Sequence, residues 1–197
     1  MGFFLLPGSA GTPAHAEMTQ VTAAPAPEIV APELTHNKVA TAHESGPTLT
    51  VHMTSYNAVP EQTDGDPFTA ASGMFSNPEI IAARSQDLAA ELPFGTVVKI
   101  ERTAKDTPSC RFSEVEHLIG YRVIGDTMNA RMTNKIDVLF DPTDTVMVNG
   151  KAMNPSRVLG VCQGVSVTVV GHVNPKNAPQ TQAELVTMFS DASLAMR

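Results

Sequence analysis

Beyond residue 47, apolar residues come in short runs rich in valine and isoleucine, separated by turn-forming glycine, proline, asparagine and aspartate. Short runs of this composition predict β-strands rather than helices. Six of them occur, which predicts a mainly β fold of six strands with short helical turns between them. The predicted strands are 49–53, 80–83, 96–100, 120–125, 136–140 and 164–170.

Three smaller elements are predicted between these strands. Residues 85–92 have a helical pattern that starts at a serine and stops before Pro93. Residues 154–160 place proline at the first helical position and glycine beyond the end, which is typical of a second helix. Within the segment 141–153, the sequence Val146-Met-Val-Asn-Gly150 predicts a small hairpin inserted near the functional rim of the fold.

The tail, residues 174–197, is predicted to contain a C-terminal helix. It begins with Thr181-Gln-Ala-Glu184, a capping-box sequence, and its helical pattern extends to about residue 195. A helix that packs on the rest of the fold is favoured over one that binds a partner. Its apolar face is predicted to contain Leu185, Met188, Phe189 and Ala192.

The first 46 residues have a different character from the rest. Residues 1–16 combine a short apolar segment with Ala14-His-Ala16, a cleavage motif typical of a signal peptide, but they contain no lysine or arginine. A truncated signal peptide is therefore predicted, with a fortuitous apolar tip as the alternative. Residues 17–46 are rich in alanine, proline and threonine, which predicts an extended linker.

Composition narrows the function classes. With 42% hydrophobic and 17% charged residues, the 197-residue chain is typical of a globular protein with one domain and extensions. A net charge of −7 argues against a nucleic-acid partner, which requires a basic surface. No apolar run is long enough to predict a transmembrane span, and no cysteine and histidine spacing predicts a metal site. No cofactor is expected.

The two cysteines, Cys110 and Cys162, are consistent with one disulfide in an oxidising compartment. Such a bridge would close a loop of about fifty residues and stabilise the fold by roughly 4 kcal/mol through the entropy of the unfolded chain. Two separate buried thiols are the alternative.

Candidate chemistry is concentrated in residues 120–140. Asp126 and Asp137 stand eleven residues apart, one at the end of a predicted strand and the other at the start of the next. A looped excursion between two paired strands brings such positions close together, and two neighbouring carboxyl groups separate their pKa values so that one keeps a proton. The alternative is that both aspartates cap turns.

Three segments in order carry a family resemblance: residues 54–73, Leu92-Pro-Phe-Gly-Thr96 and the stretch around the two aspartates. Together they resemble the three-aspartate (3D) domain of bacterial cell-wall proteins. That domain is similar to the barrel of the membrane-bound lytic transglycosylase A family and, more distantly, to rare lipoprotein A barrels. The resemblance covers residues 47–173 and implies a six-stranded double-psi β-barrel.

The resemblance also implies roles for both aspartates. Asp137 matches the acid/base of the transglycosylases, and Asp126 matches its partner, which orients the substrate or tunes the first carboxyl group. The chain departs from the family pattern at Arg84, where many three-aspartate domains have their third aspartate. It departs again at 127–131, which replace a glycine-rich loop, and at Ala70, which replaces a threonine.

Two function classes follow from the resemblance. In the first, the protein is a peptidoglycan lytic transglycosylase, exported to the periplasm or cell wall and acting as a monomer on glycan strands. In the second, the barrel binds peptidoglycan or regulates an enzyme without turnover. The predicted polar groove for a glycan strand consists of Arg131, Asn129, Tyr56, Thr63 and Asp64.

Overall fold

The structure is a computed structural model that describes residues 46–63 and 65–190. The predicted signal peptide, nearly all of the predicted linker, Asp64 and the last part of the predicted tail helix lie outside the described residues. Within the described residues the chain forms strands, α-helices and short 3-10 turns. The strands and α-helices are, in chain order, β1 Thr48–Asn57, β2 Ile81–Arg84, β3 Thr96–Glu101, α1 Phe112–Ile119, β4 Tyr121–Thr127, β5 Lys135–Phe140, β6 Val146–Val148, β7 Lys151–Met153, α2 Pro155–Leu159, β8 Cys162–His172 and α3 Gln182–Phe189.

Six strands close into a barrel in the order β1-β5-β2-β4-β3-β8. The pairs β1·β5 and β2·β4 are parallel, and the antiparallel pair β2·β5 lies between them. Strands β1 and β5 are neighbours in the barrel, but β2, β3 and β4 come between them in the chain. Strands β2 and β4 are also neighbours, and β3 comes between them in the chain. The two crossovers therefore interlock, and the predicted six-stranded double-psi barrel is confirmed. All six predicted strands are the barrel strands, with ends that differ by a few residues.

The barrel has two apolar layers, because side chains on a strand alternate between its two faces. The inner layer fills the barrel and takes residues from all six strands, for example Val51, Ile124 and Val138. The outer layer lies on the opposite face of the five strands β1, β2, β3, β4 and β5, and it includes Val123 and Leu139. Helix α3 packs on this outer layer, so a tail helix packed on the barrel is confirmed.

The capping box of α3 is confirmed, with Thr181 and Glu184 each bonded to the backbone of the other. Leu185 and Phe189 are buried as predicted, but Met188 is exposed, so its place on the apolar face is wrong. The end predicted near residue 195 lies outside the described residues.

The helix predicted at 85–92 is confirmed only as a shorter element, a 3-10 helix at Gln86–Leu88. The hydroxyl of Ser85 does not cap a helix, since it accepts a hydrogen bond from the backbone N–H of Lys135 at 3.0 Å. This tertiary contact overrides a weak local preference. The helix predicted at 154–160 is confirmed as α2, with the side chain of Asn154 capping its start.

Helix α1 is absent from the sequence predictions, although its apolar residues have helical spacing. Phe112, Val115 and Ile119 are buried and pack into the inner layer. The predicted hairpin is confirmed as β6–β7, with Asn149 and Gly150 at positive φ in its turn. Its expected place near the functional rim is wrong, because it packs against α1 and α2 instead.

Arg122 of β4 is fully buried at the edge of the inner layer. Its guanidinium lies over the ring of Phe140 at 5.8 Å, and burial lowers its pKa to about 9. A buried guanidinium is costly unless its N–H groups are bonded. Here they donate to the main-chain carbonyls of Pro78, Ile81, Leu118, Ile119 and Leu139.

The predicted disulfide between Cys110 and Cys162 is confirmed. Both residues are buried in the inner layer, where the bridge joins the segment before α1 to the first residue of β8. The loop that it closes contains α1, β4 and β5, and therefore both candidate aspartates. The bridge restricts the unfolded chain around the candidate site.

Replacing both cysteines with alanine should lower the free energy of unfolding by about 4 kcal/mol, because the bridge spans 52 residues. Denaturant unfolding of the variant and of the unmodified protein measures the difference. Reduction of the unmodified protein serves as the control and should have a similar effect. Equal stability of oxidised and reduced protein would contradict the prediction.

Candidate active site

A row of four side chains crosses four neighbouring strands on the outer face of the barrel. Thr54 of β1 pairs with Asp137 of β5, Asp137 pairs with Ala83 of β2, and Ala83 pairs with Asp126 of β4. Paired residues on neighbouring strands project from the same face of a sheet. The two aspartates therefore stand on either side of Ala83, and its short side chain separates them.

Asp126 reaches this row because of a bulge in β4. Ala82 pairs with Ile124, but Ala83 pairs with Asp126, so Gly125 is an extra residue in the ladder. Without the bulge, regular alternation would turn the side chain of Asp126 inward, like that of Ile124 two positions earlier. The bulge turns Asp126 outward, to the face that also carries Asp137. A Cβ atom at Gly125 would come within 2.6 Å of Cδ1 of the buried Ile81, so the end of that side chain would have to shift.

Three members of this row, Ala83, Asp126 and Asp137, form the floor of a cavity of about 660 Å³. Its walls are formed on one side by residues of the ranges 62–63 and 66–76 and on the other side by the residues after β4. Threonine, glutamine, asparagine and acidic side chains dominate the lining, and two methionines add apolar surface. The lining residues outside the floor are Tyr56, Gln62, Thr63, Asp66, Thr69, Ala70, Ala71, Ser76, Thr127, Met128, Asn129 and Met132.

Asp137 is partly buried on this floor, and burial raises its pKa to about 7. The negative charge of Asp126 raises the pKa further, while the hydroxyl of Thr54 and the charge of Lys135 act in the opposite direction. The Thr54 hydroxyl donates to Oδ1 of Asp137 at 2.8 Å and fixes its orientation. Near neutral pH this carboxyl group exchanges a proton readily, which is the property of a general acid or base.

Asp126 is held by three hydrogen-bond donors. The Tyr56 hydroxyl donates to Oδ2 at 2.9 Å, and the backbone N–H groups of Ala71 and Thr127 donate to Oδ1 at 3.0 and 2.8 Å. Both oxygens of this carboxylate are therefore engaged, so its position is set by β1, by the wall segment and by its own strand. A carboxylate fixed in this way provides a stationary negative charge beside Asp137.

Tyr56, a predicted groove residue, lines the cavity, and its largely buried side chain donates its hydroxyl hydrogen to Asp126. Burial, followed by the charge of Asp126, raises the pKa of this phenol, so it stays protonated as a donor. Tyr56 lines the base of the cavity and positions Asp126.

Of the other predicted groove residues, Asn129 and Thr63 line the cavity. Arg131 does not line it. Its side chain is exposed and donates from Nε to Oδ1 of Asn129 at 3.2 Å, so it orients a wall residue from outside. Asp64 lies outside the described residues.

Sequence reasoning missed Thr54, Asp66 and Thr69 as members of this site. Thr54 precedes the predicted groove residue Tyr56 by two positions, and strand alternation places both on one face. Asp66 accepts a hydrogen bond from the N–H of Phe68 at 2.9 Å, and its pKa is lowered by this bond and by the Thr69 hydroxyl. The signal was present in Asp66-Pro67, a turn-forming pair within the motif that carries the resemblance.

Comparison of the chain with protein-family models and with curated proteins gives no match. The residues that the structure describes contain no group of three or more histidine, cysteine, aspartate or glutamate side chains arranged to hold a metal ion. Among those same residues, no helix has the length and apolarity of a membrane span. The fold and site define a six-stranded barrel with two carboxyl groups at the floor of a polar surface cavity.

The raised pKa of Asp137 predicts a pH-dependent effect on stability. Between about pH 4 and pH 7 the folded protein keeps a proton that the unfolded chain releases, so rising pH favours unfolding. Asparagine at position 137 does not titrate and can still accept the Thr54 hydrogen bond. Asp137→Asn should therefore stabilise the protein at pH 8 relative to pH 4.5, by on the order of 1–3 kcal/mol.

Denaturant unfolding at both pH values measures this difference. Asp141→Asn is the matched control, because hydrogen bonds from Thr143 lower the pKa of Asp141 below its usual value, so this group does not titrate between pH 4.5 and pH 8 in either state. That variant should lose the same stability at both pH values. A gain from Asp137→Asn that is equal at both pH values would mean that the carboxyl group is ionised in the folded protein at low pH.

Proposed function

We propose that the protein is a peptidoglycan lytic transglycosylase that cleaves the β-1,4 bond between N-acetylmuramic acid and N-acetylglucosamine. The observation that carries this proposal is one carboxyl group with a pKa of about 7, Asp137, beside a fixed carboxylate in an open polar cavity. An acid/base aspartate needs this raised pKa to donate and accept a proton near neutral pH.

In the proposed reaction, Asp137 begins as the carboxylic acid. It donates its proton to the glycosidic oxygen while the bond from that oxygen to C1 of the muramic acid breaks, and the N-acetylglucosamine leaves with a free 4-hydroxyl. The Asp137 carboxylate then takes the proton of the 6-hydroxyl of the same muramic acid. That oxygen attacks C1 and closes a 1,6-anhydro ring, so Asp137 regains its proton and no water is consumed.

Asp126 has two roles in this scheme. Its charge raises the pKa of Asp137, and its fixed position keeps a negative charge beside the positive charge that develops at C1. A second carboxylate at the spacing of a hydrolase is not required, because the nucleophile is the substrate's own hydroxyl group.

The departure from the family pattern at Arg84 does not weaken this pair. Arg84 is buried, donates from Nε to the carbonyl of Leu92 at 2.8 Å and lies over the ring of Phe94. It follows Ala83 on β2, so alternation turns it away from the cavity. A substitution there changes the packing at the barrel end and leaves the floor between Asp126 and Asp137 unaltered.

The disulfide supports a location outside the cytoplasm, since such bonds persist in oxidising compartments. Peptidoglycan glycan strands are found in the periplasm and cell wall. The proposed substrate and the proposed compartment therefore agree.

Purified protein incubated with peptidoglycan should release muropeptides that end in 1,6-anhydro-muramic acid, detected by chromatography and mass spectrometry. Asp137→Asn should reduce this release by roughly a hundredfold to ten-thousandfold, because the variant has no proton to donate, while the fold is retained. Asp66→Asn is a control that changes a carboxylate of the cavity wall outside the floor row. Binding of glycan strands without any cleavage would favour the non-catalytic module instead.

Asp126→Asn should lower the upper pH limit of cleavage. Removing its charge lowers the pKa of Asp137, so the acid form is lost at a lower pH. Since burial is the main cause of the raised pKa, we expect a shift of roughly one pH unit or less. The measurement is the rate of anhydro-muropeptide release against pH. An upper limit that stays in place would show that the two carboxyl groups do not interact.

A further inference from the structure

The lining of the cavity contains acidic side chains and no basic ones. Among the described residues that line it, Asp66, Asp126 and Asp137 have carboxyl groups, and none is a lysine or an arginine. Proteins that bind a carboxylate or a phosphate commonly use the side chain of arginine or lysine for it. The lining therefore offers no positively charged partner to an anionic ligand.

The charge of Asp126 is held in place without being neutralised. Its three hydrogen-bond donors are a phenol hydroxyl and two backbone N–H groups, and all of them are uncharged. The residues that the structure describes form two ion pairs, Lys99–Glu101 and Arg102–Asp106, and neither involves a residue of the cavity. The carboxylate of Asp126 therefore repels any negative charge that a ligand brings to the floor.

Two cations lie on the chain just after β4, but both are outside the lining. The side chain of Arg131 is exposed, and the ammonium group of Lys135 lies 3.7 Å from the sulfur of Met132. Burial is the main cause of the raised pKa of Asp137, and of the two charges that act on this group, Asp126 has a larger effect than Lys135. The combined field of these two charges at Asp137 is therefore negative.

In the proposed reaction, the sugar over Asp137 has a carboxyl group of its own. N-acetylmuramic acid has a lactyl group on O3, in the same ring as the C1 atom at which the bond breaks. This carboxyl group is an uncharged amide where a stem peptide is attached, and a free carboxylate where the peptide has been removed. Charges within about 10 Å of each other interact at ordinary salt concentrations, so a free lactyl carboxylate enters the field of the floor when C1 lies over Asp137.

We propose that the cavity selects muramic acid whose lactyl carboxyl group is capped as an amide, and that it discriminates by charge against strands with the free carboxylate. This inference rests on the proposed function and names the form of the substrate that the same site takes. It also gives the protein a place in a reaction sequence. Hydrolysis of the lactyl amide by water releases the amine of the peptide and exposes the carboxylate, so this reaction has to follow cleavage of the strand.

Two substrates that differ only in this charge test the proposal. Peptide-free glycan strands have the free lactyl carboxylate, and carbodiimide coupling to methylamine converts it to a neutral amide. The rate at which 1,6-anhydro ends form gives kcat/KM for each substrate. At low salt the amide strands should be cleaved roughly tenfold more efficiently, because charges close to a protein surface interact this strongly. In about 1 M salt the difference should narrow, since charges are then screened over about 3 Å.

Asp126→Asn should narrow the ratio of kcat/KM between amide and carboxylate strands to roughly threefold or less at low salt, because it removes the fixed charge. The ratio is taken within each variant, so a loss of overall activity does not affect it. Glu116→Gln is the matched control, because Glu116 is an exposed residue of α1 that does not line the cavity. Its ratio should equal that of the unmodified protein.

Equal kcat/KM on the two substrates, or a preference for the carboxylate, would overturn this inference and leave the proposed function intact. A preference for the amide that neither salt nor Asp126→Asn changes would overturn discrimination by charge. Cleavage of intact peptidoglycan but of neither substrate would show that the stem peptide itself is required, which also overturns the inference. If intact peptidoglycan yields no anhydro ends, the proposed function fails together with it.

Discussion

The candidate site depends on one constraint, the alternation of side chains along paired strands. Asp137 faces outward because it lies between the inward residues Ile136 and Val138 of β5. Regular alternation along β4 would turn Asp126 inward like Ile124, and the bulge at Gly125 turns it outward instead. A carboxyl group buried inside the barrel would lower the stability of the fold, and no ligand could reach it. The bulge avoids that cost and creates a pair of carboxyl groups on one open surface.

The frame around this pair is held by a buried cation. Arg122 lies on β4, four positions before Asp126, and its hydrogen bonds reach β5 at Leu139, two positions after Asp137. Further bonds reach the end of α1 and the carbonyls beside β2. One side chain thus connects the three strands of the floor. Its charge is satisfied by carbonyl dipoles, so it contributes geometry without adding a positive charge to the cavity.

The sequence predicted the elements whose signals are local. Strand runs, helix α2 with its proline start and glycine stop, the capping box at Thr181 and the convergence of two aspartates follow from period, cap chemistry and chain return. The role of Tyr56 was missed because its partner Asp126 is seventy positions away, and no spacing rule links them. The hydroxyl of Ser85 does not cap a helix for a similar reason, since it accepts a hydrogen bond from the backbone N–H of Lys135 on β5. Long-range hydrogen bonds decided every one of these differences.

The raised pKa of Asp137 also has a consequence for stability that bears on the proposed function. An ionisable group with a folded-state pKa near 7 costs the protein stability at neutral pH, because the unfolded chain releases the proton at no such cost. Asparagine would accept the same hydrogen bond from Thr54 and fill the same space without this loss. Packing and hydrogen bonding therefore do not explain an aspartate at this position. The proposed function gives a reason for it, because an acid/base group has to gain and lose a proton in this range, which asparagine does not do.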